Sequence, residues 1–164
     1  MRVHKVVMTA NNLPLASFST AQVVSMTSVP SGTLASWHKR KRLIALDIWT
    51  GGQGRPTRYS QSAVLALAVM RSLSVTGIFS GSNDGDQTLD AMIGHATRDW
   101  LRQRSKLGGM HVLSYPDGTV KLAYGPQLGT AAAPAGADIN LSIDLDAICG
   151  RVLSQMDPFA SREV

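Results

Sequence analysis

"FSTAQVVSMTSVPSGTLASWHKRKRLI", residues 18–44, joins a capping signal, a Pro-containing break and a second segment that ends in four consecutive cations. Ser19-Thr20-Ala21-Gln22 fits a capping box, in which the Ser hydroxyl accepts from the amide three residues on and the Gln side chain reaches back to the cap amide. The pattern predicts a first helix from about Ser19. Phe18 and Val23 stand where a hydrophobic staple forms, and Val23, Val24 and Met26 supply a short apolar face. Pro30 disfavours helical geometry at the residue before it and Gly32 adds backbone freedom, so "SVPSG" ends that helix after about two turns. Ser31 can cap a second helix through Leu34 and Trp37, whose i, i+3 spacing puts both on one face. The opposite face is Thr33, Ala35, Ser36, His38 and Lys39.

Two short helices joined by a tight turn, the second with small polar residues on its free face and cations at its end, are what a helix-turn-helix requires. Small side chains let such a helix enter a major groove roughly 12 Å wide, and flanking Lys and Arg neutralise phosphates. Downstream, "LIALDIWTGGQGRPTRYS" reads as strand, glycine loop and returning strand, a β-hairpin wing. Ser60 then caps a third helix, "QSAVLALAVMRSLSVTG", apolar on nearly every face from Ala63 to Met70 and stopping near Gly77. On this reading Thr33, Ala35, Ser36, His38 and Lys39 face the major groove, while Arg40, Arg42, Arg55, Arg58 and Tyr59 contact backbone phosphates.

The charge distribution points the same way. Residues 1–60 hold eight cations and one carboxylate, Asp47, a net of +7, whereas residues 61–164 hold eight cations and ten carboxylates, a net of −2. That asymmetry implies a polyanion-binding amino-terminal part. No apolar run approaches the roughly 20 residues of a membrane span, Asn11 and Asn12 interrupt any secretory h-region, and a cytoplasmic location is the default expectation. Cys149 is the single cysteine, which excludes an intrachain disulfide and a thiolate cluster; it reads as a small buried residue on a carboxy-terminal helix.

Taken together, Phe18, Ser19, Gln22, Thr27, Val29, Thr33, Leu34, Trp37, Lys39, Leu43, Arg55, Arg58, Tyr59, Ser60, Val64, Leu65, Leu67, Arg71, Leu73 and Gly77 follow in the order of the winged helix-turn-helix of the MerR family, which residues 18–78 resemble. The resemblance implies a dimeric, sequence-specific transcriptional regulator of double-stranded DNA, with RNA polymerase as a further partner. Two departures stand out: Lys41 occupies the place of a glycine before the Leu that leads to the wing, and Gly32 the place of an arginine early in the second helix. A shorter stretch, residues 49–73, also resembles the amino-terminal part of some insertion-sequence transposases. An excisionase-like or transposase-like DNA binder, or an interaction module for an acidic partner, are the alternative functions.

Beyond the resemblance, Gln87 to Arg104 reads as an amphipathic helix with Leu89, Met92, Ile93, Ala96, Trp100 and Leu101 on one stripe, a candidate dimerisation face. Asp84, Asp86 and Asp90 lack the ligand pattern of an EF-hand, and Asp84 or Asp86 suits a helix cap. "MHVLSYPDGTVKLAYG" predicts a hairpin turning at Pro116-Asp117-Gly118, "PQLGTAAAPAGAD" a linker, and "INLSIDLDAICGRVLSQM" a strand passing into a helix. The expected fold class is α+β: an arm over 1–17, a winged-helix domain with its following helix over 18–104, and a small module of hairpin, strand and helix over 105–164 for dimerisation or partner binding. No catalytic constellation, cofactor motif or metal-ligand set is present in the pattern, so an enzyme is not expected.

Overall fold

A computed structural model describes residues 17–51, 54–76, 85–103, 109–117, 120–125 and 139–160. Strand β1 (Ser17–Ser19) leads directly into helix α1 (Thr20–Thr27). The junction is the capping box: the Ser19 amide donates to Gln22 Oε1 at 2.7 Å, and the Gln22 amide donates to Ser19 Oγ at 3.4 Å. Helix α2 (Ser31–Lys39) follows, with Pro30 rather than Ser31 as its N-cap residue. Proline's fixed φ suits this extended position, and its missing amide is one the helix start does not need. Strands β2 (Ile48–Trp49) and β3 (Arg58–Ser60) pair antiparallel with Ile48 opposite Tyr59, as expected of the hairpin. β1 was not expected; it pairs with the other edge of β3, Phe18 opposite Tyr59, giving the order β1-β3-β2.

Ser60 ends β3 and caps helix α3 (Gln61–Val75), its hydroxyl accepting from the Ala63 amide at 3.0 Å. Helix α4 (Gly85–Gln103) lies on α3, where Thr97 Oγ1 comes within 3.4 Å of the Ser62 carbonyl. A second antiparallel sheet follows, of β4 (Gly109–Ser114), β5 (Val120–Gly125) and β6 (Ile139–Asp144), with β4 central. β6 passes straight into helix α5 (Leu145–Ala160), and Asp144 accepts from the Ala147 amide at 2.8 Å. The protein is α+β, with five helices and two small antiparallel sheets among the described residues. The arm before residue 17, the Gly77 stop, the Asp84 cap and the linker at 126–138 lie outside those residues.

α3 holds the layers together. Ala63 through Met70 and Leu73 are all buried, so α1, α4 and α5 each lie against it. One core runs from Phe18 and Leu34 through α3 to Met110, Leu145 and Met156 and crosses the expected boundary at 104/105. The α4 stripe is used inside this core: Leu89, Ile93, Ala96 and Trp100 are buried within the chain, which removes them as a dimerisation face. Trp100 Nε1 donates to Asp146 Oδ1 at 2.6 Å, tying α4 to α5. Cys149 is buried, and desolvation, with Asp146 nearby, pushes its thiol up to about 12, leaving it inert. Among the described residues no helix is long and apolar enough to cross a membrane.

One polar link crosses the core. Arg42 Nε donates to Asp90 Oδ2 at 3.1 Å and Nη2 to Oδ1 at 3.3 Å, with the two side chains 4% and 1% exposed. Removing one member of such a pair leaves a buried uncompensated charge, which costs about 3–5 kcal/mol, whereas replacing both by apolar groups is far milder. Urea unfolding of Asp90→Ala should therefore show a loss of about 3–5 kcal/mol, and the double variant Arg42→Met/Asp90→Leu should recover most of it. Equal losses in the single and double variants would contradict the pairing.

Candidate nucleic-acid interface

The end of α2 is shaped by its C-cap. Arg40 is the cap residue, the Lys41 amide donates to the His38 carbonyl at 3.0 Å, and the Arg42 amide donates to the Trp37 carbonyl at 3.0 Å. These two bonds define a Schellman motif, whose residue after the cap is usually glycine because it takes a left-handed conformation. Lys41 holds that place at φ +58°, the very position where the resemblance led one to expect glycine. The motif also fixes where four adjacent cations go. Lys39, Arg40 and Lys41 are exposed. The next residue, Arg42, turns inward, its guanidinium carbon 5.9 Å from the centre of the Trp37 ring, and ends on Asp90. The expected phosphate contact from Arg42 is corrected accordingly: its charge is spent in the core.

Tyr59 is corrected too. Side chains alternate along a strand, and in β3 Tyr59 points into the core at 1% exposure while Arg58 is half exposed. The Tyr59 hydroxyl lies 2.8 Å from His38 Nε2, with the two rings edge to face at a centroid distance of 5.8 Å. Thr20 also hydrogen-bonds the Tyr59 hydroxyl. Burial favours the uncharged form of both groups. Desolvation agrees on both sides, lowering the His38 pKa from 6.5 and raising that of Tyr59 above 10.0. This bond joins the last turn of α2 to the middle strand of the first sheet. A depression of about 300 Å³ bordered by His38, Lys41, Ile48 and Thr50 lies alongside, between the cationic turn and β2.

The remaining candidates stay at or near the surface. Ala35, Lys39, Arg40 and Arg55 are exposed, and Thr33, Ser36, His38 and Arg58 are half-buried. Lys39, Lys41, Arg55 and Arg58 have no ion-pair partner among the described residues. Asp47, the sole carboxylate of the amino-terminal 60 residues, is engaged with Arg98 of α4 at 3.6 Å and with the Ser62 hydroxyl at 3.2 Å. Two glycines shape the β2–β3 loop: Gly54 has φ +83°, and a Cβ at Gly51 would lie 2.5 Å from the Arg55 carbonyl oxygen. Lys41 is the cation that residue-type reasoning left out of the interface; its place in the Schellman motif was the available signal. Compared with known proteins, the chain matches no family model and no curated protein.

Two measurements check this geometry. A left-handed non-glycine residue costs about 1–2 kcal/mol, so Lys41→Gly should raise the thermal midpoint by about 2–8 °C, and Lys41→Ala should not. For His38 the sign follows from its lowered folded pKa: the unfolded chain takes the proton first, so stability is held above about pH 6.5 and declines as pH falls below it. His38→Gln should flatten the dependence of unfolding free energy on pH between 7 and 5, and an unchanged slope would contradict the assignment.

Proposed function

We propose that the protein is a sequence-specific regulator of MerR-like type that binds double-stranded DNA as a dimer in the cytoplasm. The observation that carries this reading is the 2.8 Å contact between His38 and Tyr59, which sets the cationic end of α2 beside the β2–β3 hairpin. Lys39 and Lys41 at the end of α2, and Arg55 and Arg58 on the hairpin, carry positive charge without carboxylate partners among the described residues. A duplex supplies the missing counter-charge at one phosphate per about 1.7 Å of helix axis.

The roles divide by reach and chemistry. Thr33, Ala35, Ser36 and Lys39 on the free side of α2 read base edges. His38, already bonded on one nitrogen, offers its other ring nitrogen to the duplex. Arg40, Lys41, Arg55 and Arg58 bind phosphates, and Arg42 and Tyr59 hold the surface from behind. Lys41 belongs in this set because it keeps a charge at a backbone position where glycine costs less.

Purified protein presented with a random duplex pool should select a palindromic consensus, since a two-fold protein reads two half-sites. Arg58→Ala should weaken binding to every duplex alike and reduce the salt slope by about 1, whereas Ser36→Ala should change preference at one or two base pairs. Fluorescence anisotropy against selected and random duplexes separates the two. Uniform loss from the Ser36 change would remove it from the base-reading face.

A further inference from the structure

A groove of about 540 Å³ opens between the end of α1, the second half of α3 and α5, on residues that the DNA reading leaves unused. Two arginines line it, Arg71 from α3 and Arg151 from α5, together with Met26, Ser28, Ser72 and Gln155. The described residues along this groove include no carboxylate. Neither arginine has an ion-pair partner among the described residues. This is unexpected in the part of the chain that holds ten carboxylates against eight cations. Arg71 is half-buried, which restricts its side chain to the groove wall, and a bound anion supplies the counter-charge that the protein does not.

We propose that this groove is a binding site for a small dianion, a phosphate monoester or a dicarboxylate. Each guanidinium can hold one oxygen pair in a bidentate bond, and Gln155 and the serine hydroxyls add neutral hydrogen bonds. The volume lies within the range of about 300–1,000 Å³ usual for small-molecule sites. Because the two arginines come from different helices, the ligand clips α5 to α3 beside the end of α1. It thereby stiffens the support of the helix that precedes α2. The site does not depend on the DNA reading.

Thermal unfolding of the full chain is followed at pH 7.5 during titration with sodium phosphate and, separately, sodium succinate, each against sodium chloride of equal ionic strength. The expected result is a saturable rise of about 3–6 °C at ten times the half-saturating concentration. Arg151 is exposed, so Arg151→Gln should fold normally and lose the rise, while Arg151→Lys keeps part of it. Response to phosphate alone supports the site and narrows the ligand to phosphate monoesters; response to both supports it as stated. A rise that sodium chloride reproduces, or that persists in Arg151→Gln, overturns the proposal. So does the absence of any rise, and if Arg151→Gln then weakens duplex binding, the groove belongs to the nucleic-acid backbone instead.

Discussion

The first half of helix α3 leaves almost no face for water. Its residues from Ala63 to Met70 are buried without a break, and a helix segment apolar all round is stable only when other elements enclose it. Burying each Val, Leu or Met side chain contributes about 1.5–3 kcal/mol, so the gain comes only once the first sheet, α1, α4 and α5 have closed around α3. The amino-terminal and carboxy-terminal parts therefore share one core, to which β4, β6 and α5 contribute Met110, Val112, Ile143, Leu145, Val152 and Met156.

Enclosure also decides how charge is sorted. The turn after α2 sends Arg42 inward to Asp90 and holds Lys39, Arg40 and Lys41 outward. Asp47 leans toward Arg98 and Ser62, on elements behind the hairpin. What remains at the junction of α2 and the hairpin is cationic and is kept in place by His38 and Tyr59. A surface of this kind suits a partner with regularly spaced negative charge.

The features legible in the sequence are those set within a few residues. The Ser19 box, the Ser60 cap, the break at Pro30, the antiparallel pairing of Ile48–Trp49 with Arg58–Ser60 and the passage from strand to helix near Leu145 all depend on local spacing. β1 was not legible because Ser17–Ser19 is too short to show alternation, and its partner lies some forty residues away. Arg42 looked like its three neighbours because a run of cations carries no mark of direction; only the left-handed turn at Lys41 separates them. Tyr59 read as a surface aromatic beside two arginines, although strand alternation with Arg58 already placed the two side chains on opposite faces. The α4 stripe was recognisable as a buried face, but periodicity does not say whether a second chain or the same chain covers it.

The central claim is that the end of α2 and the β2–β3 hairpin act as one surface toward duplex DNA. Amide chemical shifts of ¹⁵N-labelled protein during titration with a selected duplex test it most directly. The account predicts that residues 33–41 and 54–58 shift together with a single binding curve, while α5 stays unchanged. Shifts confined to either segment alone, or centred elsewhere on the molecule, would contradict it.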